Sequence, residues 1–133
     1  MGILVKYNCI ECDTYVERFN SSGKYCSIKC QSTHQSKNRL TDWLERNVKV
    51  GKTTVRRYLV ERDGYKCSVC DIEEWLDKPI NLEIDHTDGN AYNNVPMNLR
   101  LICPNCHAQT ATYKNRNKGN GRKLRQSDGW LLQ

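Results

Sequence analysis

Alternating apolar and polar positions, the pattern of a strand with one buried face, occur in short runs along this chain. In "NLEIDH" (81–86) Leu82 and Ile84 alternate with Glu83 and Asp85, and in "NLRLIC" (98–103) Leu99 and Leu101 flank Arg100. "YVERF" (15–19) reads as a third strand, followed by a turn at "NSSGK". Helical spacing replaces alternation in "TVRRYLVERDG", where Val55, Tyr58, Leu59 and Arg62 recur on one side; Thr54 is placed to cap its start and Gly64 its end. "TDWLERN" predicts a shorter helix with Thr41 as N-cap and Asp42 in its first turn, ended by the "VGKTT" break. Pro104 suits a first helical position and opens a predicted helix over "PNCHAQTATYKNRN". Between these elements, "QSTHQSKN" (31–38) is polar and without period, either a linker or the solvated start of a helix, and "TDGNAYNNVPM" is a turn-rich loop. The second half thus runs strand, loop, strand, helix.

These runs bury little. Hydrophobic residues make up 38 % of 133, with one Phe, and small modules of that composition commonly need a staple. Eight cysteines supply one. They fall as C-x2-C (Cys9, Cys12), C-x3-C (Cys26, Cys30), C-x2-C (Cys67, Cys70) and C-x2-C (Cys103, Cys106), the spacing of two four-cysteine zinc sites. A disulfide framework is the alternative and would need an oxidising compartment. The start "MGILVKYNC" has too short an apolar run for a signal peptide or a membrane span, and Lys6 stands where a myristoylation signal has Ser or Thr. The expectation is therefore zinc, in a reduced, cytoplasmic setting without a membrane. A four-thiolate zinc site contributes ~10 to 16 kcal/mol of apparent binding energy, comparable to the whole net stability of a typical domain, ~5 to 15 kcal/mol, so loss of either set is expected to unfold its module. His34, in the polar stretch, reads as an exposed linker histidine rather than a replacement ligand.

Charge indicates the partner. A formal net charge of +6 and a pI near 8.9 favour a polyanion, with nucleic acid the first expectation. Arg56 and Arg57 lie beside the apolar stripe of their helix, and Arg100 sits on a strand. Lys114, Arg116, Lys118, Arg122, Lys123 and Arg125 form a basic tail with no acid before Asp128. Each is a candidate phosphate contact or a solvated surface charge. Trp130, Leu131 and Leu132, at the end of that tail, argue against pure disorder. The sequence has no heptads, no P-loop and no G-x-S-x-G.

The chemistry concentrates in Asp85, His86, Asn98 and His107, in the order D-H-x11-N-x8-H, threaded through the second cysteine set. His107 directly follows Cys106, so a zinc knuckle there fixes its imidazole in place. Phosphodiester hydrolysis needs an activated water, an electrophile at the phosphate and stabilisation of the leaving oxygen. One divalent ion on Asp85 and His107 supplies the last two, and His86 is an imidazole suited to deprotonating water near neutral pH. Strict alternation points Asp85 and His86 to opposite faces, so at least one is expected where the strand ends and turns. Asn98 is neither acid nor base, but its amide can hold the loop backbone that carries His86. Asn93 and Asn94 read as loop formers, with a sugar-phosphate contact as the lesser alternative.

"CSVC … LEIDHTDGN … NN … NLRLICPNCHAQT" closely resembles the HNH nuclease superfamily, in the cysteine-containing ββα-metal form frequent in bacteriophage and mobile-element endonucleases, over about residues 56–117. The resemblance implies two strands and a helix around one catalytic Mg2+ or Mn2+, and DNA cut or nicked to 5′-phosphate and 3′-hydroxyl ends. Position by position it implies Asp85 and His107 as ligands of that ion, His86 as general base and Asn98 as the positioning residue. Cys67, Cys70, Cys103 and Cys106 would hold a structural Zn2+. "YNCIECDTYVERFNSSGKYCSIKC" is similar to the small cysteine finger that opens some phage proteins of this kind, with Cys9, Cys12, Cys26 and Cys30 on a second structural Zn2+.

The expected fold is small α+β: a ββα-metal nuclease core with a zinc knuckle (54–117), preceded by a four-cysteine zinc-finger module (1–35) and a helical linker region (36–53), and followed by the basic tail (118–133). The expected function is a metal-dependent DNA endonuclease of phage or homing type, acting alone, as a homodimer or with a larger phage enzyme such as a terminase. A non-catalytic, zinc-stapled DNA-binding or packaging accessory protein is the alternative.

Overall fold

A computed structural model describes residues 2–116, with Asn115 by its backbone alone. Lys118, Arg122, Lys123, Arg125 and the Trp130–Leu132 triplet lie outside the described residues. The fold is a small α+β one, and the chain divides into two compact units after Val48.

In the first unit β1 (Leu4–Asn8) pairs antiparallel with β2 (Tyr15–Phe19), with Tyr7 opposite Val16 on the face that also carries Val5. Helix α1 (Ile28–Arg46) follows. Its N-cap is Ser27, whose hydroxyl accepts from the Cys30 N–H at 3.2 Å, and it ends at Asn47 in the left-handed conformation (φ 53°). The helix therefore starts inside the cysteine finger and runs through "QSTHQSKN". Thr41 is not a cap: it lies mid-helix, and its hydroxyl donates to the Lys37 carbonyl at 3.1 Å. Ser27 starts the helix so early that the Thr41 N–H already has a ladder partner. His34 is not an exposed linker residue either. It is half-buried on α1, with Nδ1 3.4 Å from Glu11 and its ring 5.7 Å from that of Tyr25.

In the second unit α2 (Lys52–Asp63) opens at Gly51 with no side-chain cap, so Thr54 does not cap it; Gly64 ends it at φ 83°. A small hairpin that the sequence pattern did not predict, β3 (Glu74–Trp75) with β4 (Lys78–Pro79), turns through Leu76 and Asp77, both at positive φ. β5 (Glu83–His86) and β6 (Leu99–Ile102) form an antiparallel pair, and α3 (Pro104–Ala108) follows, with Pro104 in the first helical turn as expected.

α3 is five residues, not the fourteen expected. The Arg116 guanidinium donates to the carbonyls of Thr110 (2.7 Å) and Ala108 (3.1 Å), acceptors that a continuing helix would give to backbone N–H groups four residues on. The buried apolar side chains of this unit are Val55, Leu59, Leu82, Leu99, Leu101 and Ile102, joined by Cys67 and Cys103. Two arginines of α2 tie it to the strands through backbone oxygens, Arg56 to Leu82 (2.7 Å) and Arg62 to Pro96 (2.8 Å) and Leu99 (2.9 Å). Among the described residues no helix is long and apolar enough to cross a membrane.

Candidate active site and metal centres

Both cysteine sets gather their sulfurs. Cys9, Cys12, Cys26 and Cys30 form one cluster and Cys67, Cys70, Cys103 and Cys106 the other, each with its ligand atoms within 4.8 Å of one another. Four thiolates about 2.3 Å from a central ion stand about 3.8 Å apart. The observed Sγ–Sγ separations are 3.5 Å (Cys12–Cys26), 3.4 Å (Cys26–Cys30) and 3.9 Å (Cys70–Cys103), far beyond a disulfide bond of about 2.05 Å. All eight cysteines are free, so the donor set fits a tetrahedral soft-metal site and not a disulfide framework.

One local device builds two of the three C-x2-C turns, those of Cys9–Cys12 and Cys67–Cys70. The residue after the second cysteine is an aspartate at positive φ, Asp13 (59°) and Asp71 (58°). Its N–H donates to the carbonyl of the first cysteine at 2.8 Å in one turn and 2.9 Å in the other. Burial raises the thiol pKa of Cys9, but backbone N–H groups of Cys26, Cys12 and Glu11 outweigh it and bring the value down to about 6. Cys67 likewise falls to about 6, burial being outweighed by N–H groups of Cys103, Cys70 and Val69. The shift is shared unevenly within each cluster: hydrogen bonding to Cys30 pushes the Cys26 thiol up to about 12, and hydrogen bonding to Cys70 does the same for Cys106.

The second cluster also positions the imidazole that follows it. Cys103 is the N-cap of α3, its sulfur accepting from the Cys106 N–H at 3.4 Å, and the His107 N–H reaches the Cys103 carbonyl at 2.9 Å. Opposite α3, the β5–β6 register sets Asp85 against Arg100 and Glu83 against Ile102. Glu83 and Asp85, two residues apart, share one strand face, and they take the two nitrogens of the same ring. Glu83 is hydrogen-bonded to His107 Nδ1, and Asp85 Oδ1 lies 3.7 Å from His107 Nε2. In the neutral ring, with Nδ1–H directed at the carboxylate, Nε2 carries the lone pair. Arg100 Nε holds the other Asp85 oxygen at 2.8 Å.

The face that alternation marks as polar is thus the more deeply covered one at this point. Asp85 is 6 % exposed, whereas Ile84 is only half-buried.

His86 is the last residue of β5, so strand alternation sets it on the face opposite Asp85. Its Nε2 lies 2.9 Å from the side-chain oxygen of Asn94. The chain then turns through Gly89 (φ 72°), whose N–H donates to the His86 carbonyl at 2.9 Å.

Asn98, buried, closes that loop from below. Its carbonyl accepts from Thr87 N–H (2.8 Å), its Oδ1 from Asp88 N–H (3.1 Å), and its amide donates to Asp88 Oδ1 and to the Asn93 carbonyl (both 2.8 Å). The Asp88 carboxylate also accepts from the Asn93 amide (2.7 Å) and the Asn90 N–H (2.8 Å), and these bonds, that from Asn93 first, hold its pKa below the ordinary 3.8.

Sequence reasoning did not single out Glu83, Asp88 or Asn94. The E-x-D spacing on one strand face was a readable signal for Glu83; nothing in the spacing marked the other two. Of the expected phosphate contacts, Arg56, Arg100 and Arg116 are engaged on protein oxygens, Arg57 is exposed, and Lys114 lies 4.8 Å above the Tyr113 ring.

Compared with known proteins, a stretch of 55 residues, 41 % of the chain, is 58 % identical to the H-N-H endonuclease F-TflIV of Escherichia phage T5. The chain is related to the HNH endonucleases. The match spans about a quarter (24 %) of that phage protein's length. No family model and no solved structure matches the chain.

Proposed function

We propose that this chain is a metal-dependent DNA endonuclease, phage-encoded or of homing type, whose β5, β6 and α3 form a ββα-metal core. The observation that carries the reading is the convergence of Asp85 Oδ1 and His107 Nε2 to 3.7 Å, with Arg100 and Glu83 holding the atoms of those groups that face elsewhere. Two oxygen or nitrogen ligands about 2.1 Å from one ion stand about 3.0 Å apart at the right angle an octahedral ion prefers, so the pair at 3.7 Å would close by about 0.7 Å to hold a single Mg2+ or Mn2+. A hard ion with two protein ligands keeps waters and takes phosphate oxygens as further ligands.

Bound there, the ion supplies Lewis acidity at the scissile phosphate and charge stabilisation for the leaving 3′ oxygen. The remaining work belongs to the chain. His86 takes the proton of the attacking water, and Asn98, through Asp88 and the Thr87 N–H, fixes the turn on which His86 is mounted. Glu83 sets the His107 tautomer that offers Nε2 to the ion. The two cysteine clusters hold structural Zn2+, the second of them locking α3 and therefore His107. Arg57 and Lys114 are the described cations best placed for phosphate contact, and DNA is the partner they serve. An intracellular site of action follows from DNA as substrate and from thiolate zinc sites.

Zinc-loaded protein should convert supercoiled plasmid to nicked or linear forms with added Mg2+ or Mn2+ and not without it. His86→Ala should keep its fold and zinc and lose cleavage. A wild-type protein inert with both ions, or a His86→Ala protein cleaving at a near-normal rate, overturns the proposal; DNA binding without cleavage in the wild type would instead mark a zinc-stapled accessory factor.

A further inference from the structure

Two contacts of the Asn94 side-chain amide bear on His86. Its oxygen faces His86 Nε2 at 2.9 Å, and its nitrogen donates to the Tyr92 carbonyl at 3.3 Å. The second contact settles the first. A backbone carbonyl only accepts, so the side of the amide turned to Tyr92 is the NH2 group and the side turned to His86 is the oxygen. The reverse orientation would set two acceptors against each other at Tyr92. An amide oxygen in turn requires a donor, so Nε2 carries the hydrogen and a neutral His86 has its lone pair on Nδ1.

We infer that Asn94 is a positioning residue that holds His86 in the Nε2–H tautomer and so makes Nδ1 the atom that accepts the water proton. This rests on the reading of His86 as general base. The loop gives Asn94 a fixed place from which to act. Its own N–H also reaches the Tyr92 carbonyl at 3.0 Å, the Tyr92 N–H is held by the Asn90 side chain at 3.0 Å, and the Asn93 carbonyl accepts from Asn98. Asn94 is thereby tied to the same buried Asn98 that anchors the Thr87–Asp88 turn, and both ends of the His86 environment share one support.

The two histidines of the site are set in opposite senses. Glu83 takes the Nδ1–H of His107 and frees its Nε2, whereas Asn94 takes the Nε2–H of His86 and frees its Nδ1. A carboxylate partner suits a ring that donates a lone pair to a cation. A neutral amide oxygen orients His86 without adding a second charge to a ring that already has the Asp88 carboxylate within electrostatic reach.

The test reads the ring directly. Long-range proton–nitrogen correlation spectra of the full zinc-loaded chain at pH 8 distinguish the two neutral tautomers, and with three histidines (His34, His86, His107) the His86 signals are assigned with His34→Gln and His86→Ala. Wild-type His86 should show the Nε2–H pattern; an Nδ1–H pattern, or exchange between the two, overturns the proposal whatever the activity. Asn94→Leu should lose the single fixed tautomer and nick plasmid about ten- to a hundredfold more slowly at unchanged DNA affinity, the usual scale for losing an outer partner of an active-site histidine. Asn94→Asp, which keeps an oxygen toward Nε2, should retain the Nε2–H pattern. An Asn94→Leu protein with wild-type tautomer and rate overturns the inference. Failure of the endonuclease reading itself appears separately, as a wild-type protein with the Nε2–H pattern that does not cleave.

Discussion

Replacing Arg100 by Leu removes the partner of a carboxylate that has little access to water. Asp85 is 6 % exposed and Arg100 Nε sits 2.8 Å from its Oδ2, while 27 % of the Arg100 side chain is exposed. Breaking a buried ion pair by deleting one side costs about 3 to 5 kcal/mol. Water entering through the partly open arginine site offsets some of this, so about 2 to 3 kcal/mol is expected for Arg100→Leu.

At 1.4 kcal/mol per factor of ten, amides of β5 and β6 that exchange by opening of this unit should exchange roughly 30- to 140-fold faster. Hydrogen exchange of the full zinc-loaded chain, read on peptides spanning residues 82–103, measures this without requiring two-state unfolding of a two-unit protein. Two companions identify the cause. Arg100→Leu with Asp85→Asn replaces the unpaired charge by a neutral amide and should recover most of the protection. Mg2+ or Mn2+ should restore protection more in Arg100→Leu than in wild type, because the ion then meets a carboxylate with no competing cation. Protection within about twofold of wild type, or no recovery in the double variant, would refute the claim that Arg100 neutralises a buried Asp85.

Other outcomes follow from the same geometry. Glu83→Ala should keep the fold and zinc but weaken Mn2+ binding about ten- to a hundredfold, measured by paramagnetic line broadening of His107, because the ring loses the acceptor that fixes its tautomer. The wild-type chain should carry two zinc ions by native mass spectrometry, and Cys26→Ser one, with lost amide protection in "YCSIKC". The Asp88 carboxyl has a folded-state pKa below its ordinary 3.8, so its contribution is complete above that value and is lost as pH falls through the depressed one. Its carboxyl 13C titration should therefore have a midpoint below 3.8, and the Asn90 amide should lose protection over the same acid range.

Much of this protein was legible along the chain because the relevant physics is local. Cysteine spacing reports turn geometry, and a C-x2-C-D turn with its aspartate at positive φ brings two sulfurs together without help from distant residues. The strand pair, α2 with its Gly64 end, and the Pro104 start of α3 follow from period and from residues with restricted backbone choices. The helix starts were less secure. Ser27 rather than Thr41 opens α1, because a capping side chain acts only where the backbone has an unpaired N–H and the cysteine finger had moved that point fourteen residues upstream; Gly51 rather than Thr54 opens α2. Helix α3 ends at Ala108, whose carbonyl accepts from the Arg116 guanidinium.

The candidate site shows the same division. Sequence order alone supplied Asp85, His86, Asn98 and His107. Strand register, which no single segment contains, decided that Glu83 would bind His107 Nδ1 with Asp85 3.7 Å from Nε2, and that Arg100 would hold Asp85 rather than a phosphate. Loop closure decided that Asn94, one of several loop asparagines, would meet His86. Residue types state which chemistry a chain can perform; which atom of each ring is free to perform it depends on hydrogen-bond partners that meet only after the chain has folded.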